Sequence, residues 1–269
     1  MDEAEWWTCN DPEPMLEFVR GKLSERKRRL FACACCRRIE HLLTKDVRKA
    51  LRAAEKFADG LLGPEELQQE NEHVARASRG RAERWRIQDQ RERTLTAAAV
   101  WLTSQDEQAV RMTARETAES VAVLRVEECA GGRSVNVWVK EAGPVVHYRR
   151  EADGKVAKER EREWEAQIQQ ACANAWWAER SAQAELLRCI AGPPSRSFDL
   201  SADWPRWEGG VVVRIAESLY CERLSEDLPI LADALEDAGC DNADILSHCR
   251  SSGPHVRGCW VIDLLLGKE

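Results

Sequence analysis

With 269 residues and a formal net charge of −7, the chain can bury a sizeable core without covalent staples, and its acidity argues against wholesale electrostatic binding to nucleic acid. Eleven cysteines, an odd number scattered from Cys9 to Cys259, are unlike the dense framework of a small secreted domain and point to a reducing compartment. The acidic opening MDEAEWWTCN lacks the basic and apolar segments of a signal peptide. No stretch approaches the roughly eighteen apolar residues of a membrane span, so a soluble, cytoplasmic protein is expected, with no membrane partner.

Helical signals dominate in chain order. NDPEPMLEFVRG offers Asn10 or Asp11 as N-cap, Pro12 in the first turn and Gly21 as a stop, which brackets a short helix. Ser24 then caps a second helix, in which Phe31, Cys35, Ile39 and Leu42 recur at helical spacing. A third is expected from Thr44 to Ala58, closed by Gly60, and Gly63 with Pro64 marks a boundary. The polar stretch that follows has few apolar residues and Gly80 as its expected break. Ser104 restarts a helix that continues to about Cys129.

One segment reads as strand. Val135, Val137 and Val139 alternate with Asn136, Trp138 and Lys140, Gly143 and Pro144 suggest a turn, and VVHY follows. This predicts a small β-hairpin near 134–149 that needs helices to pack against. A long helix from Lys155 to Ile190 is ended by AGPPS, where Gly192 suits a left-handed position and two prolines forbid continuation. Four further pieces are predicted at Val212–Arg223, Glu226–Ala238, Asn242–Cys249 and Val256–Leu266.

The expected fold is therefore mainly α, a helical bundle formed by both chain ends with a long polar helical middle. Residues 1–62 supply the N-terminal helices of the core, 63–165 a polar arm or insertion with the hairpin, and 166–269 the C-terminal helices that pack on the N-terminal block, all within one domain. Charge is uneven: Glu17 to Arg52 carries +8 and Glu217 to Asp244 carries −8. Blocks of opposite sign are expected to face each other across the fold more readily than to expose a basic surface.

Two stretches, DPEPMLEFVRGKLSERKRRLFACACCRRIEHLL near the start and LPILADALEDAGCDNADILSHCRSSGPHVRGCWVIDLLLGKE at the end, resemble an uncharacterised family present in many paralogous copies in planctomycete bacteria. With the connecting piece from about Glu179, the likeness covers under half of the chain. The resemblance implies a helical bundle whose ends come together around a variable middle. It carries no catalytic residues, and the chain departs from the family's IFGNPFRP-like turn with IAGPPSRSF.

Two clusters bear on chemistry. Cys33 and Cys36 form a literal C-x-x-C, but Ser24 places them deep inside a helix. There the residues fan out by roughly 100° each, so Cys33, Cys35 and Cys36 cannot share an ion. They read as core, with sulfur as a small apolar group. The segment SHCRSSGPHVRGCW supplies His248, Cys249, His255 and Cys259. His255 and Cys259, spaced i, i+4, would share a helical face, Cys249 would be a third zinc ligand, and a fourth would come from His248, Cys36 or His41.

The same residues admit two other readings. In one, His255 caps a helix, Cys259 lies in the core and His248 is exposed. In the other, Cys249 or Cys259 is a nucleophile, His255 its base and Asp263 the orienter. No phosphate-binding loop, dinucleotide fingerprint, H-E-x-x-H or G-x-S-x-G is present. Trp204 and Trp207, in a Pro- and Gly-containing loop, are expected to be partly exposed and to anchor a partner.

The leading functional expectation is a non-enzymatic helical module for protein interaction or regulation, with another protein as partner and no cofactor. Zinc binding through the C-terminal Cys/His cluster is the second. Nucleic-acid binding through the basic stretch Arg20 to Arg52 is the third and is not favoured.

Overall fold

The computed structural model describes residues 1–84, 97–98, 108–130, 135–140, 143–148, 155–195, 198, 204–222 and 227–268. Among the described residues the protein is mainly α, as the sequence predicts. The helices are α1 (Glu3–Thr8), α2 (Pro12–Phe18), α3 (Glu25–Arg38), α4 (Lys45–Ala58), α5 (Pro64–Arg84), α6 (Ala109–Cys129), α7 (Lys155–Ala191), α8 (Val211–Glu222), α9 (Leu228–Asp237), α10 (Ala243–Arg250) and α11 (Trp260–Leu266). No helix among the described residues is long and apolar enough to cross a membrane.

Local signals set most of these boundaries. Asp11 accepts from the Glu13 N–H, with Pro12 opening α2, and the Ser24 hydroxyl accepts from Lys27 N–H at 3.2 Å. Thr44 caps α4, whose buried face Val47, Ala50, Leu51 and Ala54 follows helical spacing. Gly80 does not break α5, which runs through it; one helical glycine costs only about 1 kcal/mol, and the alanine, arginine and glutamate around it are good helix formers. Ser104 lies outside the described residues.

The hairpin pairs β1 (Val135–Lys140) with β2 (Gly143–Tyr148) in antiparallel register, Lys140 opposite Gly143 and Val137 opposite Val146. Gly143 and Pro144 therefore begin the second strand instead of forming the turn. Proline is tolerated at the first positions of an edge strand, where its missing N–H breaks no ladder. On that edge Gln169 of α7 takes the place of another strand. Its amide donates to the Pro144 carbonyl at 2.7 Å and accepts from Val146 N–H at 2.8 Å.

The chain forms two compact units, one of residues 1–34 with 184–269 and one of residues 35–183, and the divisions fall inside α3 and α7. In the second unit α4 packs on α5 and β1 on α6. Val123, Val126, Val137, Val146, Ile168 and Trp176 share a core. Arg37 reaches Glu55 through two bonds of 2.9 and 2.7 Å and Glu40 at 2.8 Å, while Arg38 clasps Glu179 at 2.9 and 3.0 Å.

In the first unit α8 packs on α9 and α11, and α10 on α9 and α11. Their core includes Leu219, Leu231, Leu235, Ile245, Val261 and Ile262. The N-terminal helices are tied to the end of α7: the Arg188 guanidinium donates to the Trp6 carbonyl at 2.9 and 3.2 Å and to the Cys9 carbonyl. Lys27 donates to the Ile190 carbonyl at 3.1 Å. Arg26 grips Asp263 at 2.7 and 3.1 Å and Tyr220 Oη at 2.9 Å. Gly192, at φ +67°, ends α7 where a Cβ would lie 2.8 Å from the Trp260 ring.

Two predictions follow from this packing. Gly192→Ala should destabilise the protein by about 2–4 kcal/mol, read by chemical denaturation, because the left-handed backbone and the indole both reject a side chain. Glu116 has its carboxyl pushed up to about 7 by burial, with Glu119 adding repulsion and Arg115 opposing it. The folded state therefore holds that proton more tightly than the unfolded chain does, and stability falls as pH rises from about 4.5 to 7. Glu116→Gln should flatten that decline and stabilise the protein at pH 8 by about 1–3 kcal/mol, with little effect at pH 4, measured by urea titration across pH.

Candidate metal centre

The C-terminal cluster is assembled by three local devices. Helix α10 is capped by Asn242, whose side chain accepts from the Asp244 and Ile245 N–H groups at 3.0 and 3.2 Å. It carries both His248 and Cys249. Adjacent helical residues diverge by roughly 100°, so one side chain of that pair must leave the other's direction. His248 turns toward Cys259, its Nε2 lying 3.1 Å from the Sγ, while Cys249 is buried among the core side chains.

Ser251 stops α10, its N–H and hydroxyl both donating to the His248 carbonyl at 3.2 and 2.8 Å. The chain then crosses 251–259 without helix before α11. His255 and Cys259 consequently do not share a helical face, as the i, i+4 spacing predicts; the connecting segment brings them together instead. Gly258, at φ +90°, lets this segment lie against Leu30 of α3, where a Cβ would approach Leu30 Cδ1 to 2.9 Å. Cys259 follows directly and is fully buried.

The fourth member is Cys189, on the last turn of α7. Among the described residues, Cys189, His248, His255 and Cys259 form a group whose candidate ligand atoms all lie within 4.8 Å of one another. In a tetrahedral Cys2His2 zinc site such atoms stand roughly 3.3–3.8 Å apart, given metal–sulfur and metal–nitrogen bonds of about 2.3 and 2.0 Å. The group is thus of the right composition and nearly the right size. Cys249, Cys36 and His41 are not part of it. No spacing rule could have selected Cys189, 59 positions before His248 in the sequence.

Ring nitrogens and thiols are poised for this chemistry. His255 Nε2 lies 3.1 Å from the Ser251 carbonyl. A carbonyl only accepts, so Nε2 donates to it, the outer-sphere arrangement that orients metal-binding imidazoles. Burial opposes charge on His255, but the Cys259 sulfur and the Ser251 carbonyl together raise its pKa. Burial likewise opposes a thiolate at Cys259, yet the Cys189 thiol, His248 and His255 outweigh it and draw that sulfur well below the usual thiol range. Cys189, hydrogen-bonded to Cys259 and buried, is pushed well above it.

The group borders a cleft of about 520 Å³ lined by Trp7, Arg188, Cys189, His248, His255 and Trp260, among others. His248 meets His255 edge to face at 4.9 Å and lies 5.4 Å from the Trp260 ring. His248 is half-buried, not exposed.

Three other expectations are resolved by placement. Asp263 does not orient His255; both its oxygens are held by Arg26, with Lys27 at 3.9 Å. Cys249 is buried in the core, and burial raises its thiol far above the usual range. Trp204 is buried in the core of the first unit, and Trp207, partly exposed as expected, packs against it. Among the described residues, Trp7 and Trp177 are exposed tryptophans, at 48% and 45%.

The fold and site together define a mainly α protein with a Cys2His2-like group that can hold a metal ion. No protein-family model, curated protein or solved structure matches the chain.

Thiol reactivity should follow this map. Brief alkylation of the folded protein should label exposed Cys221 first and leave Cys36 and Cys249 unmodified until the chain unfolds, as read by peptide mass spectrometry. Burial pushes the Cys36 thiol up to about 12, so early labelling there would contradict the described packing.

Proposed function

We propose that the protein binds one zinc ion through Cys189, His248, His255 and Cys259, and that the ion organises its C-terminal helices for a role in interaction or regulation. The observation that supports this reading is the convergence of two sulfurs and two imidazoles from α7, α10 and the 251–259 segment within 4.8 Å. Two soft sulfurs with two imidazoles suit zinc better than magnesium or calcium, which take oxygen donors.

Four side-chain ligands would fill a tetrahedral shell and leave no position for a substrate, which is the pattern of a structural zinc site. The ion would hold the end of α7 to the segment that starts α11. Zinc would bring a divalent charge to the buried sulfurs of Cys189 and Cys259. Binding energy of this kind is folding energy.

Elemental analysis of protein purified without chelators should find about one zinc per chain. Cys189→Ser and Cys259→Ser should each weaken binding by more than the roughly 10–100-fold typical of outer-shell changes. Cys249→Ser should retain the metal, since Cys249 lies outside the group. A thousandfold excess of zinc over its dissociation constant should stabilise the fold by about 4 kcal/mol, seen as a rise in Tm. Loss of zinc from the Cys249 variant, with Cys189→Ser unaffected, would reverse the ligand assignment.

A further inference from the structure

We infer that Cys189 and Cys259 are a disulfide-forming pair responsive to a peroxide-class oxidant, with Cys189 oxidised first and Cys259 resolving it. The consequence for metal, that oxidation expels the ion, rests on the zinc reading above.

Three features of the site carry the inference. The two sulfurs belong to one group whose ligand atoms lie within 4.8 Å of one another. Both are buried, but Cys189 lines the cleft of about 520 Å³ and Cys259 is not among its lining residues. A small oxidant entering the cleft therefore meets Cys189 before Cys259. Finally, Cys259 lies at the end of the non-helical 251–259 segment, just ahead of α11. Closing the sulfurs to a bond of roughly 2.05 Å asks movement of a connecting segment instead of a helix interior. Cys249 sits in the core outside the group.

The chemistry balances with hydrogen peroxide as oxidant. In the zinc-bound state both sulfurs are thiolates. The Cys189 sulfur attacks one peroxide oxygen, the O–O bond breaks, hydroxide leaves and Cys189 becomes a sulfenic acid. The Cys259 thiolate then attacks the Cys189 sulfur, a second hydroxide leaves and the disulfide forms. Two electrons pass from the two sulfurs to one peroxide, which is consumed as two hydroxides. The ion loses two of its four ligands and is left with two imidazoles, too few to retain it. A dithiol reductant restores both thiolates and the site.

The test uses the full-length protein bearing Cys221→Ser, which removes the exposed competing thiol. Metal-free and zinc-loaded samples are titrated with hydrogen peroxide. Zinc release is followed with a coloured chelator, and cross-links are mapped by peptide mass spectrometry without reduction. The expected result is a peptide pair joining Cys189 to Cys259, release of one zinc per cross-link, and recovery of binding after dithiol treatment. If zinc never binds but the same cross-link forms, the pair stands and the metal reading fails. If zinc binds and peroxide yields sulfinic or sulfonic acid, or a cross-link between other cysteines, the inference is overturned while the metal reading survives.

Discussion

The last turn of α7 is the constraint on which the first unit depends. Within five residues Arg188 holds the Trp6 and Cys9 carbonyls, Cys189 joins the sulfur and imidazole group, the Ile190 carbonyl accepts Lys27, and Gly192 lies under the Trp260 ring. These ties reach α1, α3, α10 and α11 from one helix end. A helix terminus normally leaves its final carbonyls in need of partners; here one of them is satisfied by a lysine far away in sequence. Phe198, just beyond, lies 4.6 Å from Trp260 with its ring tilted against the indole.

Sulfur serves two purposes in this protein, and burial alone does not separate them. Cys33, Cys35, Cys36 and Cys249 are as inaccessible as Cys189 and Cys259. What distinguishes the second pair is company. Burial is the largest influence on Cys36 and Cys249 and raises both thiols, with the charges of Arg37 and Arg250 opposing it. Cys259 meets two imidazoles and another thiol, which stabilise negative charge where burial would forbid it. A buried anion needs such compensation. A bound cation would supply more of it, and this links the electrostatics of the site to the metal proposed for it.

The basic N-terminal stretch is used internally to a large degree. Arg26 pairs with Asp263, Arg29 with Glu25, Arg37 with Glu55 and Glu40, and Arg38 with Glu179. Within the acidic block of Glu217 to Asp244, Asp233 and Glu236 meet Arg250. Arginine suits the buried and half-buried pairs because its planar fork meets a carboxylate with two parallel bonds, as Arg26, Arg37 and Arg38 do. Charge commitments of this kind leave fewer cations for an external polyanion than the raw count of +8 implies.

The sequence by itself determined the helices, most of their ends and the hairpin, because caps, glycine stops, proline and apolar periodicity act within a few residues. It also singled out His248, His255 and Cys259, through the density of ligating side chains in one segment. Helix continuity through Gly80 and the strand role of Gly143 and Pro144 went against local signals, since flanking propensity in the first case and cross-strand pairing in the second outweighed the preference of single residues. Only the tertiary structure replaced Cys249 by Cys189, buried Trp204 and gave Asp263 to Arg26. Each of those outcomes depends on which helix faces lie together, and a choice between adjacent residues such as His248 and Cys249 is settled by what waits on either side of the helix.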